Sequence, residues 1–273
     1  MRGWEESTVD VPRGDAVLPV AVASRPGAAA PLVYLHGLGS SKRDFEAAAT
    51  APQLLDRRLI AIDLPGSGAS RIPEGLDPDV ADLVEVVAAT LHAIDCGPVH
   101  LIGHSMGGLV ALLLAAESPG SVRTLVSVEG NLHPVDCRVF SRRVAHLATL
   151  LEPAALIERL AVELAASGRL GYEAFARRFV GEVQPEAFVR YCRSIVEVSE
   201  REGLLETFAS LEMPRLFVHG RANRDLPYLA DLAAARVEVE EIAASDHFPL
   251  YTNPDALLTV LARFMNRHEV GHG

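Results

Sequence analysis

The chain has 273 residues, 49% of them hydrophobic, with 25 basic against 36 acidic side chains and a net charge of −11 at pH 7. That length suits one large α/β domain carrying an insertion, and an acidic balance without a basic tract at either end argues against nucleic acid or an anionic membrane surface as partner. Cys96, Cys137 and Cys192 have neither a disulfide pattern nor metal-ligand spacing, and Met1 to Glu6 lacks the apolar stretch of an export signal, so a cytoplasmic protein without a membrane span is expected.

In chain order, Val17 to Ala23 predicts an early strand closed by Ser24-Arg25-Pro26-Gly27, and Leu32-Val33-Tyr34-Leu35-His36 a second, more apolar one. Glycines follow it at once in His36-Gly37-Leu38-Gly39-Ser40, which allows close approach to the backbone there. Phe45 to Leu55 reads as a helix, Arg58 to Asp63 as the next strand, and Leu64-Pro65-Gly66-Ser67-Gly68-Ala69-Ser70 as its exit loop. Asp63 is expected to order that loop by accepting backbone N–H bonds. Asp79 to Ile94 predicts a crossover helix, ended by Gly97-Pro98.

Val99 to Ile102 then reads as a buried strand running into Gly103-His104-Ser105-Met106-Gly107, with Leu109 to Ala116 continuing as a helix. A serine between two glycines at a strand-to-helix turn fits the G-x-S-x-G nucleophile elbow. The turn is so tight that Ser105 must be strained and the side chains two positions away must vanish, a demand that Gly103 and Gly107 meet. It also sets Ser105 at a helix N-terminus, where unsatisfied N–H groups favour developing negative charge.

Val122 to Val128 makes another buried strand, ending in Glu129-Gly130-Asn131. Thereafter the alternation of strand and helix breaks. Only helical segments follow, over Arg138 to Leu151, Pro153 to Ala166, Tyr172 to Phe179, Pro185 to Val198 and Leu204 to Ala209. They predict a helical cap over 132–211, inserted into a core made of 1–131 and 212–273. The alternation resumes with a strand at Arg215 to Gly220, a helix at Pro227 to Ala235, a strand at Val237 to Ile242 and a last helix from Asp255 to about Arg267, with a frayed tail from His268. Short apolar strands alternating with amphipathic helices imply a mostly parallel sheet covered on both faces.

H-G-L-G at 36–39, D-L-P-G-S-G at 63–68, G-H-S-M-G-G at 103–108 and D-H-F-P around His247 stand in one order at successive strand ends, and with them the chain resembles the α/β-hydrolase superfamily from about Val17 to Arg267. The resemblance implies the α/β-hydrolase fold, Ser105 as nucleophile, a late histidine as base and a carboxylate that fixes its tautomer, in the chain order Ser, acid, His. His247 is the expected base, because it lies in a loop after the last strand and ahead of the Asn253-Pro254 helix start. His36 and His219 abut glycines and order loops, His104 flanks the serine, and His92 and His100 lie within regular elements. Leu38 and Met106 are expected to supply the oxyanion N–H groups.

The acid departs from the commoner family pattern, G-x-x-D-x-x-x-P after the strand that follows the cap. Here Gly220-Arg221-Ala222-Asn223-Arg224-Asp225-Leu226-Pro227 puts Asn223 in the aspartate's place, and an amide cannot stabilise an imidazolium as a carboxylate does. Two carboxylates remain: Glu129, after the strand before the cap, from which some family members supply the acid, and Asp225, two residues beyond the usual place. Glu129 is preferred, against a competing role in an ion pair with Arg142 or Arg143.

Such a site implies hydrolysis of a small or medium, rather hydrophobic ester, thioester, lactone or related acyl substrate, with neither metal nor organic cofactor, in a monomer or homodimer. Leu147, Leu150, Leu151, Leu156, Leu160 and Phe175 either face that substrate or form the cap's own core. Acyl transfer or C–C bond hydrolysis on the same site is an alternative. So is a capped ligand-binding module that keeps the fold with little turnover.

Overall fold

The computed structural model describes residues 1–138, 140–201 and 203–269. Its sheet comprises β1 (Glu5–Arg13), β2 (Ala16–Arg25), β3 (Ala29–Leu35), β4 (Arg57–Ile62), β5 (Val99–His104), β6 (Val122–Val128), β7 (Arg215–Gly220) and β8 (Glu238–Ile242), in the spatial order β1-β2-β4-β3-β5-β6-β7-β8. β1 and β2 are antiparallel to their neighbours, and from β4 onward every pairing is parallel. The central strands are apolar throughout because each alternate side chain finds a covered face. Val33 and Leu35 of β3 pack with α1 (Val80–Ala93) and α2 (Met106–Glu117), whereas Leu32 and Tyr34 pack on the other side with the turns of 42–50 and with α10 (Pro254–Glu269).

Residues 45–55 do not form the expected helix. They make 3-10 turns over Lys42–Thr50 and Pro52–Leu54, since Ala51, preceding a proline, is held extended at φ −69° and ψ 119°. β1 is an addition to the reading from sequence: it is a polar edge strand with Val11 its one fully buried residue, so no apolar run marks it. The helix expected over Arg138 to Leu151 is shorter, α3 (Ser141–Leu147), preceded by a turn at Pro134–Cys137, and the helix after β7 starts late, as α8 (Leu229–Ala234). A short α9 (Pro249–Thr252) precedes α10, which runs on through His268 because Arg57 holds Glu269 and Asn266 at its end. The rest of the expected frayed tail, 270–273, lies outside the described residues.

Between β6 and β7 the chain adds α3, α4 (Pro153–Ala165), α5 (Leu170–Glu182), α6 (Pro185–Glu200) and α7 (Leu204–Ser210). α6 is two-sided. Ala187, Tyr191 and Ile195, four residues apart, enter the main core, while Phe188 and Cys192 join a separate cluster with Val144, Leu156, Leu160, Phe175 and Phe179. The Tyr191 hydroxyl donates to the Pro65 carbonyl at 3.0 Å and the Val80 N–H to Ser194 Oγ at 3.1 Å, so α6 is fastened to the core while α3 to α5 form an outer tier on it. α5 is tethered at both ends. Near its start the Gly171 N–H donates to Asp246 at 3.1 Å, and near its end the Gly68 N–H donates to the Glu182 carbonyl at 2.7 Å. Of the leucines named for this region, Leu156 and Leu160 are buried in the insertion's own core, Leu147 and Leu151 pack on it, and Leu150 is exposed.

The loops leaving β3 and β4 are tied to each other. Lys42, the only lysine of the chain, is 4% exposed and sits on Asp63 with Nζ 2.6 Å from Oδ2; Asp63 also accepts the N–H groups of Lys42 and Ala69. His36 adds a second tie, bonded through Nδ1 to the Gly37 carbonyl at 2.8 Å and accepting the Leu64 N–H at Nε2 at 2.9 Å. Burial lowers the pKa of His36, which suits a neutral ring acting as donor and acceptor at once. Among the described residues, no helix is long and apolar enough to cross a membrane.

Candidate active site

Ser105 sits between β5 and α2 with φ 52° and ψ −119°, a left-handed conformation that costs a side-chain-bearing residue about 1–3 kcal/mol. Close packing holds it there. A Cβ at Gly103 would stand 2.1 Å from the Gly107 carbonyl oxygen, and one at Gly107 would stand 2.3 Å from that of Leu35, so neither position accepts a side chain. The Ser105 N–H is fixed by the last carbonyl of β6, Val128, at 2.9 Å. Among the described residues the Ser105 hydroxyl makes no hydrogen bond, and it faces a cavity of about 230 Å³ between the strand ends and the inserted helices.

Leu38 lies in the wall of this cavity, in the loop after β3. Among the described residues, no backbone carbonyl accepts the N–H of Leu38 or of Met106, the first residue of α2. α5 presses on the same loop: Gly39 has φ 76°, and a Cβ there would meet the Phe179 ring at 2.7 Å. A buried carboxylate steadies its far side. Ser40 and Tyr251 both donate hydroxyl hydrogen bonds to Asp44, whose pKa burial nonetheless pushes up to about 6.

Glu129 repeats the backbone device of Ser105 one strand over. Its φ is 52°, and its N–H donates to the Val218 carbonyl of β7 at 2.8 Å. Its side chain is 4% exposed and carries two donors, the Gly220 N–H on Oε1 at 2.6 Å and the Asn223 amide on Oε2 at 2.7 Å. Oε2 also lies 3.4 Å from Nδ1 of His247. Asn223 thus occupies the position where the family's aspartate was expected and directs a donor onto the carboxylate that comes from the neighbouring strand. In the sequence Asn223 reads as a missing acid; the contact across the two loops makes it a donor. Asp225 is exposed, lies outside the cavity wall and makes no contact with His247, because the loop after β7 turns its neighbour Asn223 inward instead. Arg142 and Arg143 pair with Glu200 and Glu163, not with Glu129.

His247 projects into the cavity from the loop after β8, its side chain 27% exposed. With Nδ1 turned to Glu129, its Nε2 is left for the cavity. His104 steadies it from behind: their rings are 5.1 Å apart, and His104 Nε2–H donates to the His247 carbonyl at 2.8 Å. Burial, reinforced by the neighbouring His247, lowers the His104 pKa to about 3, so His104 is a neutral prop across the physiological range. Farther from Ser105, Asp136 accepts the N–H groups of Leu132 and His133 and the Tyr228 hydroxyl, forming a polar wall with Asn131. Tyr172 and Arg169 come from α5 and the residue before it. No periodic signal in the sequence singles them out, because only the docking of α5 brings them to the cavity.

Residues 32–260 match the model of the alpha/beta hydrolase family. A putative non-heme haloperoxidase of Mycobacterium phage D29 is 29% identical over 269 residues, which cover 90% of this chain and 93% of that one. Among solved structures, a carboxylesterase of the thaumarchaeon Nitrososphaera gargenis superposes with a TM-score of 0.77 at 18% identity, covering 96% of this chain and 99% of the other. A thermophilic esterase from Thermogutta terrifontis gives 0.76 at 18% identity over 97% and 99% of the two chains. At those identities the likeness to the two structures is one of fold.

Proposed function

The chain belongs to the alpha/beta hydrolase family and is an enzyme of that type, and from that premise we propose that it is a serine hydrolase whose triad is Ser105, His247 and Glu129. The observation that carries this reading is the Glu129 carboxylate, held by two donors with Oε2 left 3.4 Å from His247 Nδ1. A carboxylate so placed keeps the imidazole in the tautomer with its proton on Nδ1 and its lone pair on Nε2.

In this mechanism Ser105 Oγ attacks the substrate carbonyl and gives its proton to His247 Nε2. Glu129 stabilises the resulting imidazolium through Nδ1–H, and the N–H groups of Leu38 and Met106 receive the oxyanion, next to the positive end of α2. His247 returns the proton to the leaving group. Water, deprotonated by the same nitrogen, then releases the acyl group and regenerates the hydroxyl. The 132–211 helices serve as a cap that excludes bulk water from the site. A cavity of about 230 Å³, with Leu38, Phe140, Leu164 and Phe175 in its wall, supports a small and partly apolar acyl substrate.

A fluorophosphonate probe tests the nucleophile. Labelling of the folded protein that disappears in Ser105→Ala is expected, and a folded wild type that resists the probe would leave a capped binding module as the better reading.

A further inference from the structure

We propose that Arg169 makes a carboxylate-binding subsite in the wall of the catalytic cavity, so that the preferred substrate is an acyl compound carrying a carboxylate a few bonds from the scissile carbonyl, such as the half-ester of a short dicarboxylic acid. This deepens the serine-hydrolase reading and rests on it.

Among the described residues, three acidic or basic side chains other than histidine line the cavity: Glu129, Asp136 and Arg169. The two acids are already engaged. Glu129 is held by Gly220, Asn223 and His247, and Asp136 by two backbone N–H groups and the Tyr228 hydroxyl. Arg169 differs. Among the described residues no carboxylate lies within ion-pair distance of its guanidinium and no carbonyl oxygen accepts from it. Among the described residues Arg169 is thus the one arginine or lysine in the cavity wall, and its side-chain partner is Tyr172, not an acid.

That cation is also oriented. Its Cζ stands over the Tyr172 ring, 4.1 Å from the ring centre, a cation–π contact that holds the guanidinium against the cavity wall. Tyr172 is fixed in turn, edge-on to Phe248 at 5.1 Å and with its ring centre 6.5 Å from that of His247. Tyr172 engages part of the guanidinium, and with no acid or carbonyl on its other N–H groups those donors remain for an acceptor such as a carboxylate. Leu164, Phe175 and Phe248 line the same wall, which suits a short hydrocarbon spacer between that carboxylate and the carbonyl presented to Ser105. The net charge of −11 repels anions at long range, so a local contact has to supply the recognition.

Arg169→Gln tests this without disturbing the fold, because the side chain is exposed and does not cap α5. Monomethyl glutarate and methyl valerate are to be compared as substrates matched in length. Wild type is expected to favour the half-ester; Arg169→Gln is expected to lose about tenfold or more in kcat/KM on it, mainly through KM, while methyl valerate changes little, and Arg169→Lys should recover part of the loss. Equal turnover of the two esters by wild type, or a parallel loss on both in the variant, would overturn the subsite. Calorimetric titration with glutarate reads the subsite apart from the chemistry: binding to wild type that is lost in Arg169→Gln supports it even if Ser105 resists a fluorophosphonate, and absence of binding to wild type refutes it even if Ser105 is labelled.

Discussion

The cavity is walled by two regions built in opposite ways. On the sheet side, backbone strain sets the chemistry: Ser105 and Glu129 follow adjacent parallel strands, each at φ 52°, and each N–H is caught by the last stretch of the next strand, at Val128 and Val218. On the helical side no non-glycine residue from 132 to 211 has a positive φ among the described residues, and the wall consists of side chains in an aromatic cluster, Tyr172, Phe175 and Phe179 packed around Phe248 and Phe188. Positions set by backbone tolerate no substitution at their glycine supports. Positions set by side-chain packing can be exchanged at a cost in stability and selectivity. The sheet side is thus the part suited to a reaction, and the helical side the part suited to a choice of substrate.

The largest expected effect is on the sheet side. Glu129→Gln should lower kcat by about a thousandfold or more with KM nearly unchanged, while Asp225→Asn stays close to wild type; the reverse outcome in steady-state kinetics would remove Glu129 from the triad. On the helical side, Phe179→Ala empties a fully buried site and should cost about 3 kcal/mol in denaturant unfolding, with KM rising more than kcat falls as the loop at Gly39 loses its support. A kcat loss as deep as that of Glu129→Gln would erase the distinction between the two walls.

Asn223 comes next. Asn223→Ala removes a hydrogen bond to a buried carboxylate and should lower kcat by about tenfold. Asn223→Asp sets a like charge against Glu129, so its loss should shrink as the pH is lowered and one of the two carboxylates takes up a proton, which a pH–rate profile would register. The mildest effect concerns Asp44. Its folded pKa of about 6 lies above its ordinary value of 3.8, so the folded chain holds that proton more tightly than the unfolded one. The associated stability is present below about pH 4 and is lost as the pH rises through about 6. Asp44→Asn should flatten that part of the melting-temperature profile, and an unchanged slope between pH 4 and 6 would show that Asp44 does not titrate there.

What could be read from sequence follows the same division. β3 to β8, the elbow glycines and the loop position of His247 are legible because two-faced burial and tight turns leave continuous apolar runs and small residues at short spacing. The polar edge strand β1 leaves no such mark, and the 3-10 turns of 42–50 have a helix-like pattern that Pro52 interrupts. Asn223 was visible as a departure from a pattern, but whether an amide there is a lost acid or a donor to another acid depends on a contact across two loops. Arg169 and Tyr172 were invisible as site residues, since α5 reaches the cavity only through tethers at Asp246 and Gly68, far away in sequence.

Lys42 is the chain's only side-chain amine, and it is sealed against Asp63 where the loops after β3 and β4 meet. An amine-reactive reagent therefore has no exposed lysine to consume it in the folded molecule. Any acylation of Lys42 reports a moment when Asp63 and the nearby Glu6 of β1 release it, and the loop that carries Lys42 also carries Leu38. The buried pair makes the molecule its own stopwatch: the rate at which this side-chain amine is modified measures how often its surroundings open.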